Sequence, residues 1–198
     1  MLHAHINYFF VFLLAMFPFS IESEEDPFLF IDANAQKMVN VLIENVELYD
    51  KDRSLYEDKI KEIFEPMIDF RRVAASVMGK KYYLLSTKTQ RADFVEIFKD
   101  SLLDTYAETL AQWGDSTIST HFLDDQIDYE IKNIEVKQTL NTGSSQYPIS
   151  YKLRKNDGEW KIVNIIINGV NLGLTFRNQF QALAISNNED IESTLNNW

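Results

Sequence analysis

The stretch Glu159–Phe180, EWKIVNIIINGVNLGLTFRNQF, restricts the fold more than any other part of the chain. Its first half carries Trp160, Ile162, Val163, Ile165, Ile166 and Ile167, apolar on both faces of a strand. Such a strand must be covered on both sides or border a cavity, because a strand with one solvated face alternates. Asn168-Gly169 then turns the chain into a helix. There Leu172, Phe176, Phe180 and Leu183 recur at i, i+4, i+8 and i+11 and share one face. A doubly apolar strand followed by an aromatic-rich helix makes a wall, and the rest of the chain has to complement it.

The complement begins with helices. Asp26-Pro27 is an N-cap followed by proline at the first helical position. Ala35, Met38, Val39, Leu42, Ile43 and Val46 then recur at helical spacing, which predicts a helix over Phe28–Glu47. The capping box Ser54-Leu-Tyr-Glu57 opens a second helix, with Ile60, Ile63 and Phe64 inward, until Pro66. Asp69 is the expected N-cap of a helix over Phe70–Met78, ended by Gly79 in the left-handed region. A further box, Thr87-Lys-Thr-Gln90, starts the longest helix, reaching about Trp113, with Phe94, Phe98, Leu102, Tyr106 and Leu110 on one stripe.

After Gly114 the period becomes two. Ile127, Tyr129 and Ile131 alternate with polar residues, and the phase then shifts to Ile134 and Val136, which suggests a bulge or bend and hence a curved sheet. Asn141–Ser145 is a turn; Ile149, Tyr151 and Leu153 form the next strand, with Pro148 tolerable near its start; Asn156-Asp-Gly158 is a hairpin signal leading to Trp160. The C-terminal helix ends near Ile185, and Ser186-Asn-Asn-Glu189 is a box for a last short helix. The pattern is α+β: one domain with helices first and last and a curved antiparallel sheet between them.

Composition narrows the function. A net charge of −11 excludes nucleic acid as an expected partner and disfavours general adhesion to anionic membranes. Tyr8–Phe19 is a twelve-residue apolar run, too short to span a bilayer and suited to a secretory signal, although MLHAHIN before it lacks Lys and Arg. A short anchor or buried helix is the alternative. The division expected is a signal over 1–23 and one domain over 24–198. Cysteine is absent, so there is neither a disulfide nor a thiol nucleophile, and His121 is the sole histidine after the signal. One histidine does not make a metal site, and no cofactor is expected.

Three segments carry a resemblance: FEPMIDFRRVAASVMGKKYY (Phe64–Tyr83), TKTQRADFVEIFKDSLLDTYAETL (Thr87–Leu110) and Tyr147–Phe180. Within them, D-F-x-R-x-A…V-x-G at Asp69–Gly79 and W-K-I-V-(x)5-G-V-N-L at Trp160–Leu172 are the most specific pieces. From Phe28 to the C-terminus the chain resembles the MlaC family, the phospholipid-carrier component of the Mla system, also called the toluene-tolerance auxiliary family. The resemblance implies a periplasmic, non-enzymatic protein with a nuclear-transport-factor-2-like curved sheet and added helices around an apolar cavity. It also implies partners: phospholipid as carried ligand, an outer-membrane lipoprotein–porin complex, and an inner-membrane ABC transporter with an MCE-domain protein. A monomer is expected. The acidic charge, the missing basic residues of the signal and the Ile185–Glu189 step depart from the family's usual pattern.

On their own, the Phe94/Phe98/Leu102/Tyr106 and Leu172/Phe176/Phe180 stripes read as core. With the resemblance they become candidate walls of a lipid cavity. The candidates are Val73 and Val77; Phe94, Phe98, Leu102 and Tyr106; Tyr151, Ile165 and Ile167; and Val170, Leu172 and Phe176. Ligand pockets of this kind hold roughly 300–1,000 Å³, and two acyl chains would need the upper end or more. Helix 70–78 or the Gly169–Gly173 turn is the expected gate. Arg71 and Arg72 are either headgroup ligands or solvent-facing residues beside a cap. Two other classes stay open. One is an isomerase-type enzyme using Asp69 with Tyr82 or Tyr106 in an apolar pocket. The other is an adaptor whose apolar residues are all core.

Overall fold

A computed structural model of the chain describes residues 25–111, 116–123 and 130–198. The expected signal and the expected strand residues Ile127 and Tyr129 lie outside these. The helices are α1 (Pro27–Glu44), α2 (Leu48–Lys51), α3 (Arg53–Met67), α4 (Phe70–Leu85) and α5 (Lys88–Ala111). The strands β1 (Thr117–His121), β2 (Asn133–Asn141), β3 (Gln146–Asn156), β4 (Glu159–Ile167) and β5 (Val170–Asn171) follow, and then α6 (Leu172–Ser186) and α7 (Ile191–Asn196). The five strands form one antiparallel sheet in chain order. The expected α+β class and helix–sheet–helix order hold.

The doubly apolar strand has a simple cause. Lys152 pairs with Asn164 but Leu153 pairs with Ile162, so Val163 is an extra residue bulged out of β4. Beyond the bulge the side-chain phase slips by one. Cross-strand partners share a face, so Ile162, Ile165 and Ile167 join Leu153, Tyr151 and Ile149 on one side of the sheet. Ile134, Val136 and Leu140 of β2 extend that side. Helices α1, α3, α4 and α6 pack against the sheet, the last three on β4. As expected of a doubly apolar strand, every residue of β4 from Trp160 to Ile167 is buried or half-buried. The expected phase shift falls on a bend at Lys132, just before β2, which itself pairs with β3 without interruption from Asn133 to Asn141. Ile131 precedes that strand rather than belonging to it.

Local signals set several helix starts. Asp26 accepts hydrogen bonds from the amides of Phe28 (2.7 Å) and Leu29 (3.2 Å), and Pro27 occupies the first helical position. Thr87 and Gln90 exchange reciprocal bonds of 3.0 and 3.1 Å, as a capping box should. The other two boxes do not form. The cap of α3 is Asp52, whose carboxylate accepts from Leu55, and that of α7 is Asp190, which accepts from Ser193. Helix α1 stops at Glu44, leaving Ile43 and Val46 exposed. Pro66 falls inside the last turn of α3 without ending it. Asn168 and Gly169, both at positive φ, make a tight turn into the short strand β5, and only then does Asn171 cap α6.

Asp69 caps α4, accepting from the Arg72 amide at 2.9 Å, and its own amide donates to the Ile162 carbonyl at 3.0 Å. The Phe70–Met78 helix ends at Gly79 as expected, at φ 70° and ψ 166°, and a second helical segment follows directly to Leu85, so that α4 is two helices joined at a kink. That conformation is essentially restricted to glycine. A Cβ would also stand 3.2 Å from the Arg177 guanidinium on α6. Gly79→Ala is expected to cost about 1–3 kcal/mol, read as a lower urea midpoint at unchanged m-value.

Candidate functional site

Where the bulged end of β4 meets α4, α5 and α6, an apolar cleft opens. Helix α4 contributes Phe70 and Val73, α5 contributes Phe98 and Leu102, and α6 contributes Leu172, Gly173 and Phe176. The floor is Ile162 and Ile165 of β4, with Ile68 from the α3–α4 corner. The bulge matters here, because it brings Ile165 onto the same face as Ile162. Ile68 is fixed by a parallel bridge to Ile162. Phe98 and Phe176 meet edge to face, their ring centroids 5.3 Å apart.

Asn164 is the one polar side chain lining the cleft. Its Nδ2 donates to Asn171 Oδ1 at 3.0 Å, and its Oδ1 accepts from the Gly173 amide at 3.0 Å. Both ends of the amide are thus occupied in holding the start of α6 against β4. A Cβ on Gly173 would lie 2.6 Å from Asn164 Oδ1. Gly173→Ala is therefore expected to displace the Asn164 amide and loosen the α6 start. The expected readout is faster amide exchange at Gly173 and Leu174, with the remainder of the sheet unaffected.

The cleft holds about 40 Å³ of open volume, far below the expected several hundred. Facing aromatic and aliphatic side chains close it, and 40 Å³ suits only one or two water molecules. Roomier hollows exist, with mixed polar and apolar linings. One of about 750 Å³ runs along α4 and α5 past Asp69, Arg71, Arg72 and Arg91. Another of about 550 Å³ lies between α5, α6 and α7, sharing Phe176 with the cleft.

Six of the twelve candidates are brought together here: Val73, Phe98, Leu102, Ile165, Leu172 and Phe176. Val77 is fully buried in the core instead. Phe94, also fully buried, belongs to an aromatic cluster, 4.9 Å from Phe180 and 5.4 Å from Trp198 by ring centroids. Tyr151 packs on the core from the sheet, and burial pushes its hydroxyl well above the usual tyrosine range. Ile167 is half-buried and away from the cleft, and Val170 on β5 is 52% exposed. The side chain of Tyr106 lies outside the described residues. Ile68, Phe70, Ile162, Asn164 and Gly173 complete the lining without being among the candidates.

Nothing lining the cleft titrates. Asp69 lies in the groove along α4 and α5 and pairs with Arg72 at 3.2 Å, while Tyr82 is buried with its ring against Phe180. Arg71 and Arg72 face that groove rather than the cleft. His121 is an exposed residue of the edge strand β1, bonded to Thr139. Among the described residues no cluster of His, Asp or Glu could hold a metal ion, and no helix is long and apolar enough to cross a membrane.

Comparison with known proteins agrees with this architecture. The fold is similar to that of a phospholipid-binding protein from Ralstonia solanacearum solved in complex with a phospholipid. The TM-score is 0.77 at 20% identity, over 87% of this chain and 94% of that one. Toluene tolerance protein ttg2D of Pseudomonas putida is 30% identical over 188 residues, 94% of this chain and 86% of the relative. The Haemophilus influenzae binding protein MlaC of the intermembrane phospholipid transport system is 21% identical over 178 residues, 89% of this chain and 74% of the relative. Residues 32–198 match the family described as MlaC protein, and the chain belongs to that family.

Proposed function

We propose that this protein is a non-enzymatic periplasmic phospholipid carrier whose acyl chains enter the cleft between β4, α4, α5 and α6. The observation that carries the reading is the lining: apolar side chains from four elements around one amide whose nitrogen and oxygen are both engaged within the protein. A site without a titratable group recognises tails, not a reacting bond. Family membership supports it, as do relatives named for phospholipid transport and a similar fold solved with phospholipid bound.

Carriage and handover are then separate steps. At about 0.8 kcal/mol per buried CH₂, two long acyl chains represent on the order of 20 kcal/mol of gross burial. Release into water is negligible on that scale, so transfer needs a membrane partner that opens the protein. On this reading residues 1–23 are a cleaved signal. The carrier passes phospholipid between an outer-membrane lipoprotein–porin complex and an inner-membrane ABC transporter with an MCE-domain protein. Because the cleft is nearly closed, its walls must part to admit a tail. The gate is α4 from Phe70 to Met78, which pivots at the Gly79 kink.

Mass spectrometry of the purified protein, intact and after solvent extraction, tests the function. Stoichiometric phospholipid is expected; a folded protein purified without detergent and carrying none would overturn the reading. For the gate, amide exchange in Phe70–Met78 is expected to be slower in lipid-loaded than in delipidated protein. Equal protection in both would assign the motion to another wall.

A further inference from the structure

Between Asp69 and Asp93 the chain carries Arg71, Arg72, Lys80, Lys81, Lys88 and Arg91 and no carboxylate, in a protein of net charge −11. The α4–α5 hairpin gathers these charges. Arg71, Arg72, Lys88 and Arg91 line the 750 Å³ groove, whose acidic lining residue, Asp69, is engaged by Arg72. Lys81 pairs with Glu189, whereas among the described residues no carboxylate pairs with Arg71, Lys80 or Lys88. At the far end of the groove α4 ends in Tyr83, Leu84 and Leu85, which are 36%, 67% and 57% exposed, before the chain turns at Ser86 and Thr87 into α5. Arg91 ties this corner to α5. Its guanidinium stacks 4.0 Å from the Tyr83 ring centroid and donates to the Ser86 carbonyl at 2.7 Å and Oγ at 3.1 Å.

Scattered apolar residues on a surface need no explanation. Three in succession at a helix end, flanked by Lys80 and Lys88, are the arrangement that binds a lipid–water interface: leucines reach the acyl boundary and cations meet phosphates. We propose that the α4–α5 corner is a membrane-docking surface, inserting Leu84 and Leu85 at the headgroup boundary of an anionic phospholipid leaflet while Lys80 and Lys88 on either side face its phosphates. The acidic remainder of the molecule sharpens the arrangement. An anionic leaflet repels it, so docking has one orientation. The same hairpin supplies Val73 and Phe98 to the cleft, so the docked face and the proposed gate share α4. The purpose of docking rests on the carrier reading; the binding itself does not.

Flotation of the purified protein with vesicles tests it. Phosphatidylglycerol–phosphatidylethanolamine vesicles are expected to carry the protein at low salt and release it at high salt, while phosphatidylcholine vesicles leave it behind. Leu84→Ser with Leu85→Ser, and separately Lys80→Glu with Lys88→Glu, are each expected to lower binding by on the order of tenfold. All four positions are exposed, so folding is retained. Equal binding to both vesicle types, or binding undiminished in both double variants, overturns the proposal. So does absence of flotation, which would assign the corner to an acidic protein partner. Phospholipid content, measured on the same samples, tracks the carrier reading separately: retained lipid without flotation sinks only the docking surface.

Discussion

Trp160→Ala is expected to destabilise the protein by about 3–5 kcal/mol, a large share of the 5–15 kcal/mol that holds a typical domain folded. The indole is completely buried, and its Nε1 donates to the Glu25 carbonyl at 2.9 Å. Three things are lost together. The largest apolar side chain of the fully buried set disappears, leaving a cavity beneath β4. The chain entering α1 loses its tie to the sheet. Lys155, whose Nζ lies 5.7 Å from the ring centroid, loses its aromatic neighbour. Trp160→Phe separates these terms: it restores most of the apolar burial but not the donor, so about 1 kcal/mol should remain. Equilibrium urea unfolding measures both. A loss below about 1 kcal/mol for the alanine variant would mean that the surrounding core collapses into the space.

This residue also shows where reading from sequence succeeds. Trp160 stands immediately after a turn, with Asp157 and Gly158 at positive φ, and such turns are recognisable because their chemistry is local. The Asp26 and Asp69 caps and the Thr87–Gln90 box are legible for the same reason. Legibility fails where two local signals compete. Ser54 and Ser186 each head a plausible box, but Asp52 and Asp190 win the capping positions, giving α3 and α7 carboxylate acceptors. Thr117–His121 becomes a strand although it carries only one large apolar residue, Ile118, because an edge strand needs a partner more than a pattern.

The site divides along the same line. The i, i+4 pairs Phe98/Leu102 and Leu172/Phe176 follow from helical period and do meet in the cleft. Phe94 and Val77 obey the same period, yet face neighbours that only the tertiary arrangement supplies. The Val163 bulge cannot be read from one strand, since it is a property of pairing, and with it goes the distinction between Ile165 and Ile166. Asn164 did leave a signal: a lone amide inside an isoleucine run has to find partners, and it finds Asn171 and Gly173.

Val73→Trp is expected to abolish nearly all co-purifying phospholipid while leaving the protein folded. Val73 is half-buried on the cleft side of α4, at the first turn beyond the Asp69 cap. An indole there fills a cleft of about 40 Å³ and braces α4 against α5 and α6. The walls could still accommodate it at a modest cost, typically about 1–3 kcal/mol for overpacking. A tail competing for the same space would have to displace the indole, which is itself well buried, so binding loses most of its driving force. Val170→Trp is the matched control: the same substitution on exposed β5 should leave the phospholipid-to-protein ratio unchanged. Both ratios come from extraction and mass spectrometry, with urea midpoints to confirm folding. Should the Val170 variant lose lipid while the Val73 variant keeps it, the acyl chains would lie beyond the β4–β5 turn and the cleft would be ordinary core. Should both keep it, the tails would be held in a hollow that neither position borders, and the groove beside Phe176 and Trp198 would be the next wall to fill.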